Sequence, residues 1–173
     1  MKIRIGWITW LHNYRKREFS VIFSKCPQKL FQVGLECGAG DGFQSTLLSN
    51  YVSKLISTDI NPDRLKMGSN KNIEYCICDA EEVNKKFQEK QFDLVFSSNL
   101  LEHLPNPKVA LEGMREVMKD NGIAIHVIPS PFWKLCDILF FVPNRIVGAL
   151  EKLGENKELK ERLERIEQKI KAE

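Results

Sequence analysis

The sequence predicts an α/β fold in which helices cover both faces of a doubly wound, mainly parallel β-sheet. One observation behind this prediction is the alternation of short β-prone runs with helical segments between residues 31 and 130. Their spacing is that of right-handed βαβ units. A second observation is that three of the β-prone runs end at glycines or at an acidic residue. Sheets of this kind bind ligands beyond the carboxyl ends of their strands, so a site is predicted at that edge.

Five strands are predicted, each from a short run of apolar and β-branched residues. They are FQVGLEC (31–37), KLISTD (54–59), NIEYCICDA (72–80), FDLVFSS (92–98) and IAIHVIPS (123–130). The first run ends at a glycine-rich turn. Asp59 and Asp79 stand at the ends of the second and third runs.

Helices are predicted in the connections between these strands. FQSTLLSNY (43–51) has apolar residues at helical spacing, and EEVNKKFQ (81–88) is a short candidate. Asn61-Pro62 marks another helix start, because proline is favoured at the first helical position. The clearest helix starts at Asn106-Pro107 and ends at Asn121-Gly122. Its predicted apolar stripe is Val109, Leu111, Met114, Val117 and Met118.

The composition, with 43% hydrophobic and 28% charged residues, is typical of a soluble globular protein. The net charge of +3 is too small to predict a nucleic-acid or membrane partner by itself. No run reaches the roughly 20 apolar residues of a membrane span, and the N-terminus lacks the apolar region of a signal peptide. The five cysteines lack paired spacing, so they are expected to be buried thiols and not metal ligands. Reduced thiols suggest a cytoplasmic location.

The glycine-rich turn ECGAGDG has glycines at positions 38, 40 and 42. Glycine lets a turn adopt backbone angles closed to other residues and lets a ligand approach the main chain closely. The spacing is GxGxG and not the GxGxxG of dinucleotide-binding folds, so it favours a different cofactor. A bare turn between two ordinary elements is the alternative.

Three carboxylates lie near this turn. Asp59 follows Gly38 by 21 residues and could accept hydrogen bonds from a ribose diol, or it could be a turn residue before Asn-Pro. Asp79 could accept a hydrogen bond from the exocyclic amine of an adenine, or it could cap a helix. Glu36 lies inside an apolar strand, where an unpaired carboxylate is costly. We expect it to hold backbone N–H groups of the glycine turn or to face a cationic ligand, with an ion pair elsewhere as the alternative.

Four segments carry a family resemblance: LECGAGDG, STDINP, CDAEEV and FDLVFSSNLLEHLPNP. In this order and spacing they resemble the class I S-adenosylmethionine-dependent methyltransferases, type 11 group, over about residues 30 to 130. The resemblance implies a Rossmann-like sheet and S-adenosylmethionine as the cofactor. The methionyl part would lie over the glycine turn, the ribose on Asp59 and the adenine near Asp79. The implied cofactor-binding residues are Glu36, Gly38, Ala39, Gly40, Asp59, Ile60, Asp79, Ala80, Ser97, Ser98 and Asn99.

The resemblance also implies a mechanism, which is direct in-line transfer of the methyl group to an acceptor. A general base is needed only if the acceptor must lose a proton. His103 is the candidate, because it follows the fourth strand and histidine is the side chain most often used as a general base. The alternative is a structural histidine within LEHLPNP. His126, inside the fifth strand, is expected in the core or facing the substrate.

Three segments are predicted. Residues 1–30 form a helical cap with Phe19, Ile22 and Phe23 inward and Arg15, Lys16 and Arg17 outward. Residues 31–130 form the cofactor-binding core.

Residues 131–173 form an apolar lid segment and a charged amphipathic helical tail, in place of the family's last two strands. The seam of that helix (Leu159, Leu163, Ile166 and Ile170) predicts a solvated helix or, alternatively, a homodimer. The apolar segment is the lid or a peripheral membrane contact.

The function predicted is methyl transfer to a small-molecule or lipid-linked acceptor, with no nucleic-acid partner. A partner-dependent or non-catalytic S-adenosylmethionine-binding protein with a reduced methyltransferase fold is the main alternative. A nicotinamide-dependent oxidoreductase is the third, and the GxGxG spacing counts against it.

Overall fold

The computed structural model describes residues 7–65, 70–132 and 135. The chain divides into two units, Met1–Ile128 and Pro129–Glu173, and the β-sheet belongs to the first. In the second unit, residues 131, 132 and 135 are helical. The predicted C-terminal helix with its seam, and all but the first residues of the predicted lid, lie outside the described residues.

In the described residues of the first unit, one helix precedes the first strand and one follows each of the first, third and fourth strands. In the described residues the helices are α1 (Trp7–Ile22), α2 (Phe43–Leu48), α3 (Val83–Lys86) and α4 (Pro107–Val117). The strands are β1 (Phe31–Cys37), β2 (Val52–Asp59), β3 (Ile73–Ile77), β4 (Phe92–Ser98) and β5 (Met118–Val127). Two 3₁₀ turns, Ala80–Glu82 and Leu101–His103, follow β3 and β4.

The described strands form one sheet in the order β3-β2-β1-β4-β5, and every neighbouring pair is parallel. The strand order reverses between β1 and β4, because the chain builds outward from β1 in one direction and then crosses to its other side. Ligands bind in the crevice at such a reversal in open α/β sheets. The predicted fold class is confirmed.

Two apolar clusters cover the two faces of the sheet. On one face, Phe19 of α1 and Phe23, in the turn directly after the helix, are 3% exposed and pack against the sheet, with the Phe19 and Phe96 ring centroids 5.3 Å apart. On the other face, Met114 of α4 packs with Leu35 and Val95 of the sheet. The inward orientation predicted for Phe19, Ile22 and Phe23 is correct, with Ile22 only partly buried against this cluster.

The apolar stripe predicted for α4 is wrong in two positions. Val109 is 47% exposed and Leu111 is 38% exposed, whereas the buried residues of the helix are Ala110, Gly113, Met114 and Val117. The small residues face the protein because the helix lies close to α3. A Cβ added at Gly113 would stand 3.2 Å from a methyl carbon of Val83.

The end predicted for α4 is also wrong. The helix ends at Val117, and Met118 already pairs with Phe92 as the start of β5. Ile123 pairs with Leu94, so the ladder shifts register across residues 119–122. The Asn121-Gly122 pair therefore lies in this bulge instead of capping the helix.

The segment after β2 forms a turn where the sequence predicts a helix. The side-chain oxygen of Asn61 accepts a hydrogen bond from the backbone N–H of Asp63 (2.9 Å), so Asn61 does close a turn. Residues 62–64 are a turn and not a helix. Residues 66–69 lie outside the described part of the chain.

The four cysteines in the described ranges are free thiols. Cys37 and Cys78 are buried, as expected, whereas Cys26 and Cys76 are only partly buried. Burial raises the pKa of the Cys78 thiol to about 11 and raises that of Cys37 as well. The described residues contain no cluster suited to a metal ion. None of their helices is long and apolar enough to cross a membrane.

Candidate functional site

The glycine turn lies at the carboxyl end of β1, directly at the reversal of strand order. The backbone N–H groups of Gly38 and Ala39 both donate to the carbonyl oxygen of Thr58 in β2, at 2.8 Å. These bonds tie the turn to the neighbouring strand. Gly38 and Gly40 have φ angles of 77° and 57°, in the left-handed region that residues with a Cβ rarely adopt.

The two glycines differ in what stands beside them. A Cβ at Gly38 would lie 2.9 Å from a terminal carbon of Leu100, so this glycine is required by packing as well as by its φ angle. A Cβ at Gly40 would meet no atom within 4 Å. The turn therefore presents open main chain at Gly40, as a site for a close-lying ligand must.

Asp59 stands beside this opening and is only 7% exposed. Its Oδ2 accepts a hydrogen bond from the backbone N–H of Gly40, and its Oδ1 accepts one from the backbone N–H of Asn61, both at 2.9 Å. A carboxylate can accept about four hydrogen bonds, so each oxygen can take a further donor. The bond to Gly40 was not predicted from the sequence. The role of Asp59 toward a ribose stays a prediction.

The ends of β2 and β3 expose two large apolar side chains. Ile60 is 64% exposed and Ile77 is 53% exposed, and both flank the strand ends that carry Asp59 and Asp79. Asp79 caps the following 3₁₀ turn, since its Oδ1 accepts from the backbone N–H of Glu81 (2.9 Å). The alternative role of Asp79 as a cap is therefore present. Its use for an adenine stays a prediction.

Glu36 has partners other than those the sequence predicts. It is 2% exposed, and its Oε2 accepts a 2.5 Å hydrogen bond from the hydroxyl of Ser57, opposite it on β2. The Ser57 hydroxyl lies 2.7 Å from that of Ser45 on α2. The N–H groups of Gly38, Ala39 and Gly40 are bonded to Thr58 and Asp59, so they are not held by Glu36. Burial raises the pKa of the Glu36 carboxyl, against the effect of its serine partners.

This burial predicts a pH dependence of stability. Because the pKa of Glu36 is raised in the folded state above its ordinary value of 4.5, the native protein binds this proton more tightly than the unfolded chain. The contribution of the Glu36 carboxyl to the free energy of unfolding is therefore most favourable below pH 4.5, and it is lost as pH rises through the folded-state pKa. We expect Glu36→Gln to remove this loss, so that the variant gains stability relative to wild type as pH rises. Urea unfolding from pH 4.5 to pH 8 measures it, and parallel pH profiles for the two proteins would contradict it.

The carboxyl end of β4 carries three polar residues whose side chains have defined contacts. The Ser97 hydroxyl lies 2.8 Å from Nδ1 of His126, its neighbour on β5. Burial lowers the pKa of His126 below its ordinary value, so this imidazole is neutral at neutral pH. Asn99 has a φ of 48° and donates its backbone N–H to the carbonyl oxygen of Val127 (2.8 Å). Contacts from Ser97, Ser98 and Asn99 to a cofactor stay predictions.

Helix α1 reaches the site through two residues. His12 Nε2 lies 3.0 Å from Oδ2 of Asp41 in the glycine turn, and its ring stacks on Phe43 with centroids 3.7 Å apart. Arg15, predicted to point outward, has a side chain that is only 16% exposed. Its Nη1 lies 2.6 Å from Glu18 and 3.3 Å from the Ser98 hydroxyl. The sequence prediction for Arg15 is wrong, and no local signal marked His12.

His103 lies in the 3₁₀ turn after β4 with its side chain 75% exposed. Its nearest carboxylate is that of Glu102, 3.9 Å from Nε2. The backbone N–H of His103 donates to the carbonyl oxygen of Leu100 (2.9 Å), so the main chain closes the turn while the ring stays accessible. A role in catalysis stays a prediction.

Comparison with known proteins gives one family and several relatives. A family model described as a methyltransferase domain matches residues 35–126, which include the last three residues of β1, all of β2, β3 and β4, and nearly all of β5. An uncharacterised protein of Methanocaldococcus jannaschii is 32% identical over 111 residues, covering 64% of this chain and 47% of that protein. A malonyl-[acyl-carrier protein] O-methyltransferase of Ilyobacter polytropus is 26% identical over 111 residues, covering 60% of this chain and 41% of that protein.

The likeness to solved structures concerns the fold. A SAM-dependent methyltransferase from Archaeoglobus fulgidus matches with a TM-score of 0.60 at 24% identity, covering 86% of this chain and 74% of that chain. The chain spans about half the length of the first two curated relatives it matches, 47% of one and 53% of the other.

Proposed function

Because the chain belongs to the methyltransferase-domain family matched over residues 35–126, we propose that it binds S-adenosylmethionine and transfers the methyl group to a small-molecule or lipid-linked acceptor. The cofactor would lie across the carboxyl ends of β1 and β2, in contact with the glycine turn. The acceptor would lie beyond the end of β4.

The observation that carries this proposal is the open main chain at Gly40 beside the Asp59 carboxylate. A residue other than glycine at position 40 would place its Cβ in the space where a ligand would lie. The backbone N–H of Gly40 holds Asp59, so the carboxylate is oriented before any ligand arrives. Such preorganisation lowers the entropic cost of binding. The exposed Ile60 and Ile77 supply an apolar surface for an adenine ring, next to the acceptor group of Asp79.

S-adenosylmethionine supplies a methyl group that is already activated on a sulfonium, so no covalent intermediate with the protein is required. The chain must bind the two reactants, align them and exclude water. Asp59 and the glycine turn would hold the adenosine end. Asn99, held in a left-handed conformation by its backbone hydrogen bond to Val127, would line one side of the acceptor pocket.

His103 would act as the general base when the methyl acceptor must lose a proton. Its side chain is 75% exposed and lies 3.9 Å from the Glu102 carboxylate, so replacing it should disturb little packing. We expect His103→Gln to lower kcat on the order of a hundredfold, the typical contribution of a general base, and to leave the cofactor dissociation constant unchanged. Single-turnover and binding measurements separate the two effects. An unchanged kcat on an acceptor that loses a proton would exclude His103 as the base.

Calorimetric titration of the full chain with S-adenosylhomocysteine tests the proposal, with NADH as a control ligand. The proposal expects saturable binding of S-adenosylhomocysteine and no binding of NADH. It also expects methyl transfer from labelled S-adenosylmethionine to an acceptor in a panel of metabolites and lipids. Absence of S-adenosylhomocysteine binding would overturn it. Binding without transfer to any acceptor until a partner chain is added would favour the non-catalytic alternative.

The location and assembly of the protein belong to the same proposal. Free thiols among the described cysteines support a cytoplasmic location. A homodimer or a peripheral membrane contact would depend on residues 131–173, nearly all outside the described part of the chain, so sedimentation and vesicle flotation of the full chain are the appropriate tests.

A further inference from the structure

The Arg15 guanidinium is a cation brought by α1 to the end of β4. Besides its contacts with Glu18 and Ser98, it has the Asn99 amide beside it. With the oxygen of that amide facing Arg15, which is the assignment that satisfies both groups, Nη1 and Nη2 both donate to the oxygen, and the Nη1 distance is 2.7 Å. The side chain is largely buried, and burying a charge is costly unless the charge has partners. A solvated surface arginine would not be held in this way.

The position of Arg15 matches one end of the proposed cofactor. The order β3-β2-β1-β4 places Asp79 and Asp59 on one side of the glycine turn and Ser98 on the other. Neighbouring strands are about 4.8 Å apart, so β2 and β4 are separated by roughly 10 Å. An adenosine held at β2 and β3 would direct the rest of a long ligand across β1 toward β4. The group at that far end of S-adenosylmethionine is an α-amino acid.

The charges of the site favour a cation at this end. Asp41, Asp59 and Asp79 all lie at or beside the carboxyl ends of β1 to β3. These carboxylates suit the cationic sulfonium of the cofactor but repel its α-carboxylate. A guanidinium has five N–H donors in a planar fork that matches a carboxylate, and Glu18, Ser98 and Asn99 are contacted through its two terminal nitrogens.

We propose that Arg15 binds the α-carboxylate of S-adenosylmethionine, and that Glu18 and Asn99 orient its guanidinium for this contact. The proposal rests on the cofactor assignment made above and adds a binding residue from α1, outside the matched family segment. Helix α1 then closes over the methionyl end of the ligand, and Arg15 lets the protein select an intact amino acid group over a shortened one.

The test compares two ligands that differ only in this carboxylate, S-adenosylmethionine and decarboxylated S-adenosylmethionine. Dissociation constants are measured by calorimetry for the full chain and for Arg15→Met, Arg15→Lys and Lys16→Met. Lys16 is the matched control, because it is the next residue on the helix, is exposed, and has its ammonium 5.9 Å from the Phe43 ring centroid beside the same glycine turn.

We expect Arg15→Met to weaken S-adenosylmethionine binding by about tenfold to a hundredfold, the value of a charge-assisted contact, and to leave the decarboxylated ligand unchanged within about twofold. Arg15→Lys keeps the charge but loses the fork, so its loss should be smaller and again confined to the first ligand. Lys16→Met should change neither. An equal loss for both ligands would assign Arg15 a purely structural role, and no loss would exclude the contact; either result overturns the proposal.

Two outcomes separate this inference from the cofactor assignment. If wild type binds neither ligand, the cofactor assignment itself fails and this inference fails with it. If wild type binds both ligands equally, the cofactor assignment stands and Arg15 has no carboxylate to hold. Circular dichroism of each variant checks folding, and Arg15→Lys provides the test if Arg15→Met does not fold.

Discussion

Replacing Asp59 with asparagine is expected to weaken S-adenosylhomocysteine binding by about a hundredfold or more, since hydrogen bonds to a charged acceptor are the strong ones. The carboxylate at this position already accepts the N–H groups of Gly40 and Asn61, one on each oxygen. Asparagine can keep one of these bonds, but its NH₂ group would face the other N–H. The variant therefore loses an acceptor for ribose hydroxyls and one of the two backbone hydrogen bonds, either that to Gly40 or that to Asn61.

The same substitution should lower the free energy of unfolding by about 1 to 3 kcal/mol, because a partly buried backbone N–H group loses its hydrogen bond to a charged acceptor. Calorimetry and urea unfolding measure the two effects. Asp63→Asn is the matched control, since Asp63 is an exposed carboxylate four residues further along the chain. Binding by Asp59→Asn equal to that of the control would show that Asp59 has no part in the site.

Alanine at the first two glycines of the turn should separate stability from binding. Gly38→Ala adds a Cβ at a left-handed φ, which costs about 1 to 2 kcal/mol. It also forces this Cβ against Leu100, for a further cost of roughly 1 to 3 kcal/mol. Gly40→Ala costs only the strain of a Cβ at a left-handed φ, because this Cβ meets no protein atom.

Gly40→Ala should instead weaken S-adenosylhomocysteine binding by more than about tenfold, since the added methyl group enters the space proposed for the ligand.

A double mutant tests the packing part of this prediction. In Gly38→Ala/Leu100→Ala the clash is relieved, so the loss of stability should be smaller than the sum of the two single losses by about 1 kcal/mol. Thermal unfolding measures the wild type, the two single variants at positions 38 and 100 and the double variant, and calorimetry measures ligand binding by the wild type and Gly40→Ala. Strict additivity would contradict the contact with Leu100, and unaltered ligand binding by Gly40→Ala would mean that the open face of the turn is not the binding face.

The sequence predicts elements well where one local signal defines both ends. β1 and β4 have the predicted bounds because each is an apolar run closed by glycines or by polar residues. The boundary between α4 and β5 was missed because Val117 and Met118 are apolar in both a helical and a strand pattern. Only the pairing of Met118 with Phe92 on a neighbouring strand decides between the two.

The predicted site residues come together at one edge of the sheet, but several of their contacts could not be predicted. Ser57 becomes the partner of Glu36 only through the parallel register of β1 and β2. Arg15 reaches Ser98, 83 positions further along the chain, because Phe19 of α1 and Phe23 just after the helix dock on the sheet face. Local patterns carry no information on such long-range docking, so the sequence does not distinguish Arg15 from the other basic residues of α1.

The most direct measurement of the central claim is a crystal structure of the full chain with bound S-adenosylhomocysteine. The ribose hydroxyls should lie within about 3.2 Å of the Asp59 carboxylate, with the chain of the ligand passing the exposed main chain of Gly40. A ligand bound away from the carboxyl ends of β1 and β2, with Asp59 bonded only to Gly40 and Asn61, would contradict the account.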